Sequence, residues 1–254
     1  MAAPVVAFLI FSVFATSFLS GIFGMMGGMV LMVILLAVMP VSAAMSLHAA
    51  IQLVSNGWRC FLWRKHIVWH VLPPYFCGIA AGFILMILLH YVPDRNMALV
   101  MMGSLPLLSM LANRFIRLDV MNPYHTAGTA TLLTFVHLTA GVVGPLLDLL
   151  YINAPLTRQQ IVSTKAFTQS AMHIVRLAYF GVFLTLIMGN AGWAGNFDAV
   201  WLPVLLGASV AGTSAAALVL HRMNDNNFKA ISRVLIGLIS AYCLYEGITG
   251  LLAA

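Results

Sequence analysis

The chain is a succession of apolar runs broken by short polar punctuation. The runs fall at residues 4–23, 28–39, 41–62, 67–90, 95–113, 125–143, 145–153, 157–183, 198–220 and 229–252. Between them stand Gly24, Gly27 and Gly28, then Pro40, Arg64-Lys65-His66, Pro93-Asp94-Arg95, residues 119–123, Gly144-Pro145, residues 189–195 and residues 221–227. A bilayer core of about 30 Å asks a helix for about 20 predominantly apolar residues, and most of these runs approach that length. Closed β-barrels are the other way to span lipid, but they need short alternating strands, which this pattern does not contain. The pattern predicts an all-α integral membrane protein.

Composition points the same way. Of the 254 residues, 62% are hydrophobic and only 7% charged, with a mean hydropathy of +1.02. Soluble domains carry about 25% charged residues, so this chain has too few to cover a water-facing surface. No cleavable signal is expected, because Met1-Ala-Ala-Pro has no basic region and the first apolar run leads into glycines. Cys60, Cys77 and Cys243 lie far apart, which argues against a disulfide framework, a zinc site or a thiol relay. No metal and no cofactor is expected. The net charge of +6 comes without a basic tail or an aromatic-interleaved stripe, so nucleic acid is not an expected partner.

The basic residues instead mark cytoplasmic loops. Arg59, Arg64 and Lys65 form one cluster, Arg114 and Arg117 a second, and Arg222, Lys229 and Arg233 a third; all three are placed inside. The glycine-rich loop 189–196 and the turn at Asp94-Arg95 go outside. With that orientation residues 4–39 start and end outside, and residues 125–153 start and end inside. Each is then a hairpin or broken pair that enters the bilayer and returns. The second arms, 28–39 and 145–153, are about 18 and 14 Å long at 1.5 Å per residue, which suits a half-crossing. The first arms are long enough to cross, and tilt or a kink near Ser17–Gly21 could accommodate them.

An internal repeat follows the same division. Setting residues 17–59 over residues 134–176 without gaps puts Gly24 on Gly141, Gly27 on Gly144, Ser46 on Ser163, Ala49 on Ala166, Gln52 on Gln169 and Arg59 on Arg176. His48 then meets Lys165, and Asn56 meets His173. Repeats with an odd number of crossings have opposite orientations, which the loop charges require independently. The expected fold is two inverted-topology repeats, residues 1–120 and 121–254, forming one transmembrane unit. Each would hold a broken or re-entrant helix pair followed by three transmembrane helices.

Gly27-Gly28 and Gly144-Pro145 stand where the second arms begin, and proline favours the first positions of a helix. A helix N-terminus carries about half a positive charge and binds anions, so two such ends facing each other would make an anion cradle. Close packing of helices through small residues is the other use of such glycines. His48 lies eight residues past Pro40 and Lys165 eight past Thr157, about 12 Å in from opposite faces. Ionisable residues at that depth are costly and mark function by default. Gln52 and Gln169 follow one turn on, and Ser46, Ser163 and Thr164 add hydroxyls. Gly27, Gly28, His48, Gln52, Gly144, Pro145, Ser163, Thr164, Lys165 and Gln169 are therefore the expected substrate-binding residues. Asn56, His173, Arg176, Asp148 and Glu246 form a second tier, with proton coupling as one use. Arg59 and Arg176 fall toward the far ends of their helices, where snorkelling is the default, though Arg176 could guard the outer mouth. Asp148 could pair with Lys165 or a histidine.

The segment Ser20-Gly-Ile-Phe-Gly24-Met-Met-Gly27-Gly28, the apolar run to Pro40 and the small-residue helix ending near Asn56 recur as Thr139-Ala-Gly141-Val-Val-Gly144-Pro145 followed by Ser163-Thr164. This pattern resembles the sulfite exporter TauE/SafE family of membrane transporters over essentially the whole chain. Met25-Met26 departs from the smaller, more glycine-rich turn usual there. The resemblance implies export of sulfite or a small organosulfonate across the bacterial inner membrane, with a small sulfur-containing anion and membrane lipid as partners and homo-oligomerisation left open. The alternative class is a membrane-embedded enzyme, either a haem redox protein or an intramembrane hydrolase. No helix carries two histidines about fourteen residues apart, and no G-x-S-x-G elbow occurs.

Overall fold

The structure is a computed structural model that describes residues 3–23, 26–188, 199–220 and 225–253. Its regular elements are all helical among these residues. They run α1 (Ala3–Phe23), α2 (Met26–Val38), α3 (Val41–Trp63), α4 (Leu72–Leu89), α5 (Arg95–Phe115), α6 (Pro123–Ala140), α7 (Gly144–Tyr151), α8 (Arg158–Arg176), α9 (Leu184–Met188), α10 (Leu202–Leu220) and α11 (Asp225–Leu252). A π-helical stretch, Leu177–Phe183, joins α8 to α9 without a break. The loop 189–196 and Arg222, both used to orient the chain, and Gly24-Met25, used in the repeat and the family pattern, lie outside the described residues.

Local chemistry sets the ends of several helices. Thr157 and Gln160 form a capping box at the start of α8: the Thr157 Oγ1 accepts from the Gln160 N–H, and the Gln160 Oε1 accepts from the Thr157 N–H. Asn122 caps α6 with Pro123 just inside, and Asp94 caps α5. The apolar run expected to begin at residue 67 enters its helix only at Leu72, after short 3-10 turns at Arg64–His66 and Trp69–Val71. Pro73 and Pro74 account for this delay: they fit the first turn of α4, where their missing N–H groups have no intrahelical acceptor. The first arm, α1, is one continuous helix through Ser17–Gly21.

The main contacts pair α1 with α10, α4 with α6, α3 with α8 and α5 with α11; the short helix α2 lies against α1, α3 and α11, and α7 against α5 and α6. Exchanging α1–α5 for α6, α7, α8, α10 and α11 in order leaves this pairing intact, α1/α10 becoming α6/α4. Small residues let the paired backbones approach, as is common between helices in lipid. A Cβ on Gly82 of α4 would stand 2.7 Å from the Thr131 carbonyl of α6, and one on Gly212 of α10 would stand 3.0 Å from the Phe18 nitrogen of α1.

Large apolar side chains such as Phe11, Leu88, Leu186 and Leu218 face outward, exposed. Among the described residues four stretches are long and apolar enough to cross a membrane: Pro4–Phe23, Trp69–Leu89, Arg95–Phe115 and Val234–Leu252. The protein is an all-α, multi-pass membrane protein. The central helices α3 and α8 are not in that set, because each carries a polar stripe: His48, Gln52, Asn56 and Arg59 on α3, and Lys165, Gln169, His173 and Arg176 on α8. Spacings of three and four keep each stripe on one face.

Candidate functional site

The two stripes meet at a cavity of about 120 Å³. From α3 it is lined by His48, Gln52, Asn56 and Arg59, and from α8 by Ile161, Val162, Lys165, Gln169 and His173. The broken helices close it: Gly28 in the first turn of α2, His137 near the end of α6, Gly141-Val142-Val143 in the break, and Gly144 at the start of α7. No lining residue is acidic.

Of the residues expected from sequence, Gly28, His48, Gln52, Gly144, Lys165 and Gln169 line the cavity, as do Asn56 and His173 from the second tier. The others have different surroundings. Gly27 is a packing residue, since a Cβ there would run into Thr16 and Ser20 of α1, with the Ser20 nitrogen at 2.6 Å. Gly28 has room for a methyl, its Cβ position in ordinary contact with the Gln52 amide at 3.6 Å. Pro145 offers its carbonyl to the Ser109 hydroxyl at 2.7 Å. The Ser163 hydroxyl donates to the Gln160 carbonyl, and the Thr164 hydroxyl accepts from the Val68 N–H at 3.0 Å. Ser46 is fully buried away from the lining. Glu246 pairs with Arg95 at 3.8 Å, outside the cavity. Asp148, half exposed on α7, forms an ion pair with Lys165.

The arginines depart most from expectation. Arg176 does not snorkel: it is 0% exposed. Its Nη1 donates to His48 Nδ1 at 2.9 Å, and the two N–H groups of Nη2 are shared among His137 Nδ1 at 2.8 Å, the His137 carbonyl at 2.6 Å and the Gly141 carbonyl. All of these acceptors are neutral. Arg59 lines the cavity and donates through Nη2 to the Ser20 carbonyl at 2.9 Å. In the sequence offset that sets Arg59 over Arg176, Ser20 stands over His137. Each arginine thus holds the carbonyl at the matching position in the last turn of α1 or α6.

Several nitrogens around the cavity lack a partner. His48 donates from Nε2 to the Gly28 carbonyl at 2.9 Å. Among the described residues Gln52 Nε2, His137 Nε2, His173 Nδ1 and Arg176 Nε are buried without a hydrogen-bond partner, although buried polar atoms are normally paired. Sequence reasoning missed His137 and treated Arg59 as a surface-seeking side chain. A histidine four residues before the Gly141 break in an apolar arm was the available signal for His137. For Arg59 it was the identity with Arg176 across the repeat.

Helices of membrane-spanning length, with a polar cavity where α3 and α8 meet the break between α6 and α7, define the class: a multi-pass α-helical membrane protein with a cation-lined cavity. The family model described as sulfite exporter TauE/SafE matches residues 9–243, and the chain belongs to that family. No curated protein and no solved structure gives a significant match.

Proposed function

We propose that this protein is a secondary transporter that exports sulfite or a small organosulfonate across the bacterial inner membrane, with the central cavity as its anion site. The family is one of sulfur-anion exporters, which favours transport over membrane-embedded catalysis. The observation that carries the reading is the cavity's charge: Arg59 and Lys165 line it and no acid does, the Asp148 partner of Lys165 lying outside the lining, and Gln52 and His137 offer unpaired donors. A buried cation without a counter-charge is costly, and Arg176 has only neutral acceptors. An anion in the cavity supplies that charge and takes up the spare N–H groups. The first turn of α7 adds the positive end of a helix dipole at Gly144.

Transport through such a site follows from rocking of two inverted repeats, residues 1–120 and 121–254, about the cavity. The interchangeable helix pairing and the matched Arg59–Ser20 and Arg176–His137 contacts support that division. Export of an anion is driven outward by an inside-negative potential, by about 2.3 kcal/mol per charge per 100 mV. The test is thermal stabilisation of the purified protein by sulfite, thiosulfate, sulfoacetate, sulfate and chloride. A bound ligand stabilises by about 2.7 kcal/mol at a hundredfold excess over its dissociation constant. Selective stabilisation by a sulfur anion is expected; no response to any anion overturns the anion-site reading.

A further inference from the structure

We infer that Arg176 is the positioning residue of this site: it does not contact the anion, but it sets the tautomers of two histidines, so that His48 ties α3 to α2 and His137 keeps a free N–H rather than a lone pair at the cavity wall. The inference rests on the anion-site reading above. An arginine nitrogen can only donate. His48 Nδ1 and His137 Nδ1, which both receive Arg176 at 2.9 and 2.8 Å, are therefore acceptors, and the proton of each neutral ring sits on Nε2. For His48 a second contact agrees, since the Gly28 carbonyl at 2.9 Å from Nε2 can only accept. That bond ties α3 to the first turn of α2. For His137 the Nε2–H is left free: the side chain is 3% exposed, lines the cavity, and has no partner at that nitrogen among the described residues. In the other tautomer the same position would show a lone pair to an anion and repel it.

Arg176 also removes a second obstacle. Helix α6 ends beside the cavity, with Gly141 in the left-handed conformation at φ 83°. The free carbonyls of a helix C-terminus carry about half a negative charge, which opposes an anion. Arg176 takes the His137 and Gly141 carbonyls onto its guanidinium. The N-terminus of α7 at Gly144 then lines the cavity beside Val142 and Val143, with the carbonyl charge of the break drawn off. One buried cation thus turns a helix end and an ambivalent imidazole into an anion-accepting wall.

The experiment is nitrogen NMR of the full-length protein labelled with ¹⁵N-histidine, with signals assigned by replacing His48 and His137 singly. It is combined with binding of sulfite, thiosulfate and sulfoacetate to wild type, Arg176→Lys and His137→Leu. In wild type both histidines are expected as neutral Nε2–H tautomers. In Arg176→Lys, His137 is expected to lose its single tautomer and anion affinity to fall at least tenfold. His137→Leu is expected to lose at least tenfold with Arg176 in place. A wild-type His137 carrying its proton on Nδ1, or doubly protonated, overturns the inference whatever binds. So does full affinity in a folded Arg176→Lys or His137→Leu, and in that case the anion-site reading stands. Absence of binding by wild type, with the tautomers as expected, instead removes the anion-site reading and this inference with it.

Discussion

Neighbouring residues in this chain serve different ends, and the distinction is one of atoms within 4 Å. Gly27 and Gly28 are adjacent, yet only Gly28 has room for a methyl, in ordinary contact with Gln52. Gly27→Ala is expected to lower stability by about 1–3 kcal/mol, the usual cost of forcing a methyl into a filled contact. Gly28→Ala should leave the melting temperature near wild type and weaken anion binding, because its methyl narrows the cavity. Thermal melts of both variants, with and without sulfite, check the pair. Lys165 and Asp148 make a second contrast. Lys165→Ala should reduce anion affinity at least tenfold, whereas Asp148→Asn should raise it, since the carboxylate that now competes for the ammonium is gone. Equal affinities in wild type and Asp148→Asn would show that the pair does not restrain Lys165.

At the scale of elements, function depends on short helices held by long ones. Helix α2 has 13 residues and α7 only 8, about 20 and 12 Å, and neither holds its position alone. Each sits in an apolar core: α2 by Met29, Leu31, Met32 and Leu35, and α7 by Leu147, Leu150 and Tyr151. The break between α6 and α7 turns at Gly141, whose positive φ an L side chain rarely adopts. Gly141→Ala is expected to cost about 1–3 kcal/mol through that backbone strain and the contact with Met32, read as a lower melting temperature. The break was legible in sequence because glycine and proline punctuate helices. The late start of α4 was not read from the apolar pattern, although Pro73-Pro74 carried the signal.

At the scale of the whole molecule, the repeat reading makes a claim about sidedness. Single cysteines placed at Lys65→Cys, Arg117→Cys and Tyr91→Cys, with Cys60, Cys77 and Cys243 replaced, can be probed with a membrane-impermeant thiol reagent. Labelling of residue 91 in intact spheroplasts is expected, with residues 65 and 117 reached only after permeabilisation. Labelling of all three from one side would remove the inverted-repeat topology, even with the helix pairing unchanged.

The sequence by itself determined most of the helices, the break after α6 and the two polar stripes. In lipid every backbone group must be satisfied within its own segment, so length, apolarity and helix punctuation are enough to define them. It also identified His48, Gln52, Lys165 and Gln169 as inward-facing, because three- and four-residue spacing keeps them on one face of α3 or α8. Tertiary structure decided which polar atoms share a cavity. Arg176 reads as a snorkelling side chain until His48, 128 positions away, and His137, 39 positions away, are brought within hydrogen-bonding distance of it. Gly27 and Gly28 are equivalent until α1 closes over one and Gln52 leaves room at the other. Whether a buried cation is held inside depends on carbonyls and imidazoles supplied by other helices, and only the packed bundle brings those together.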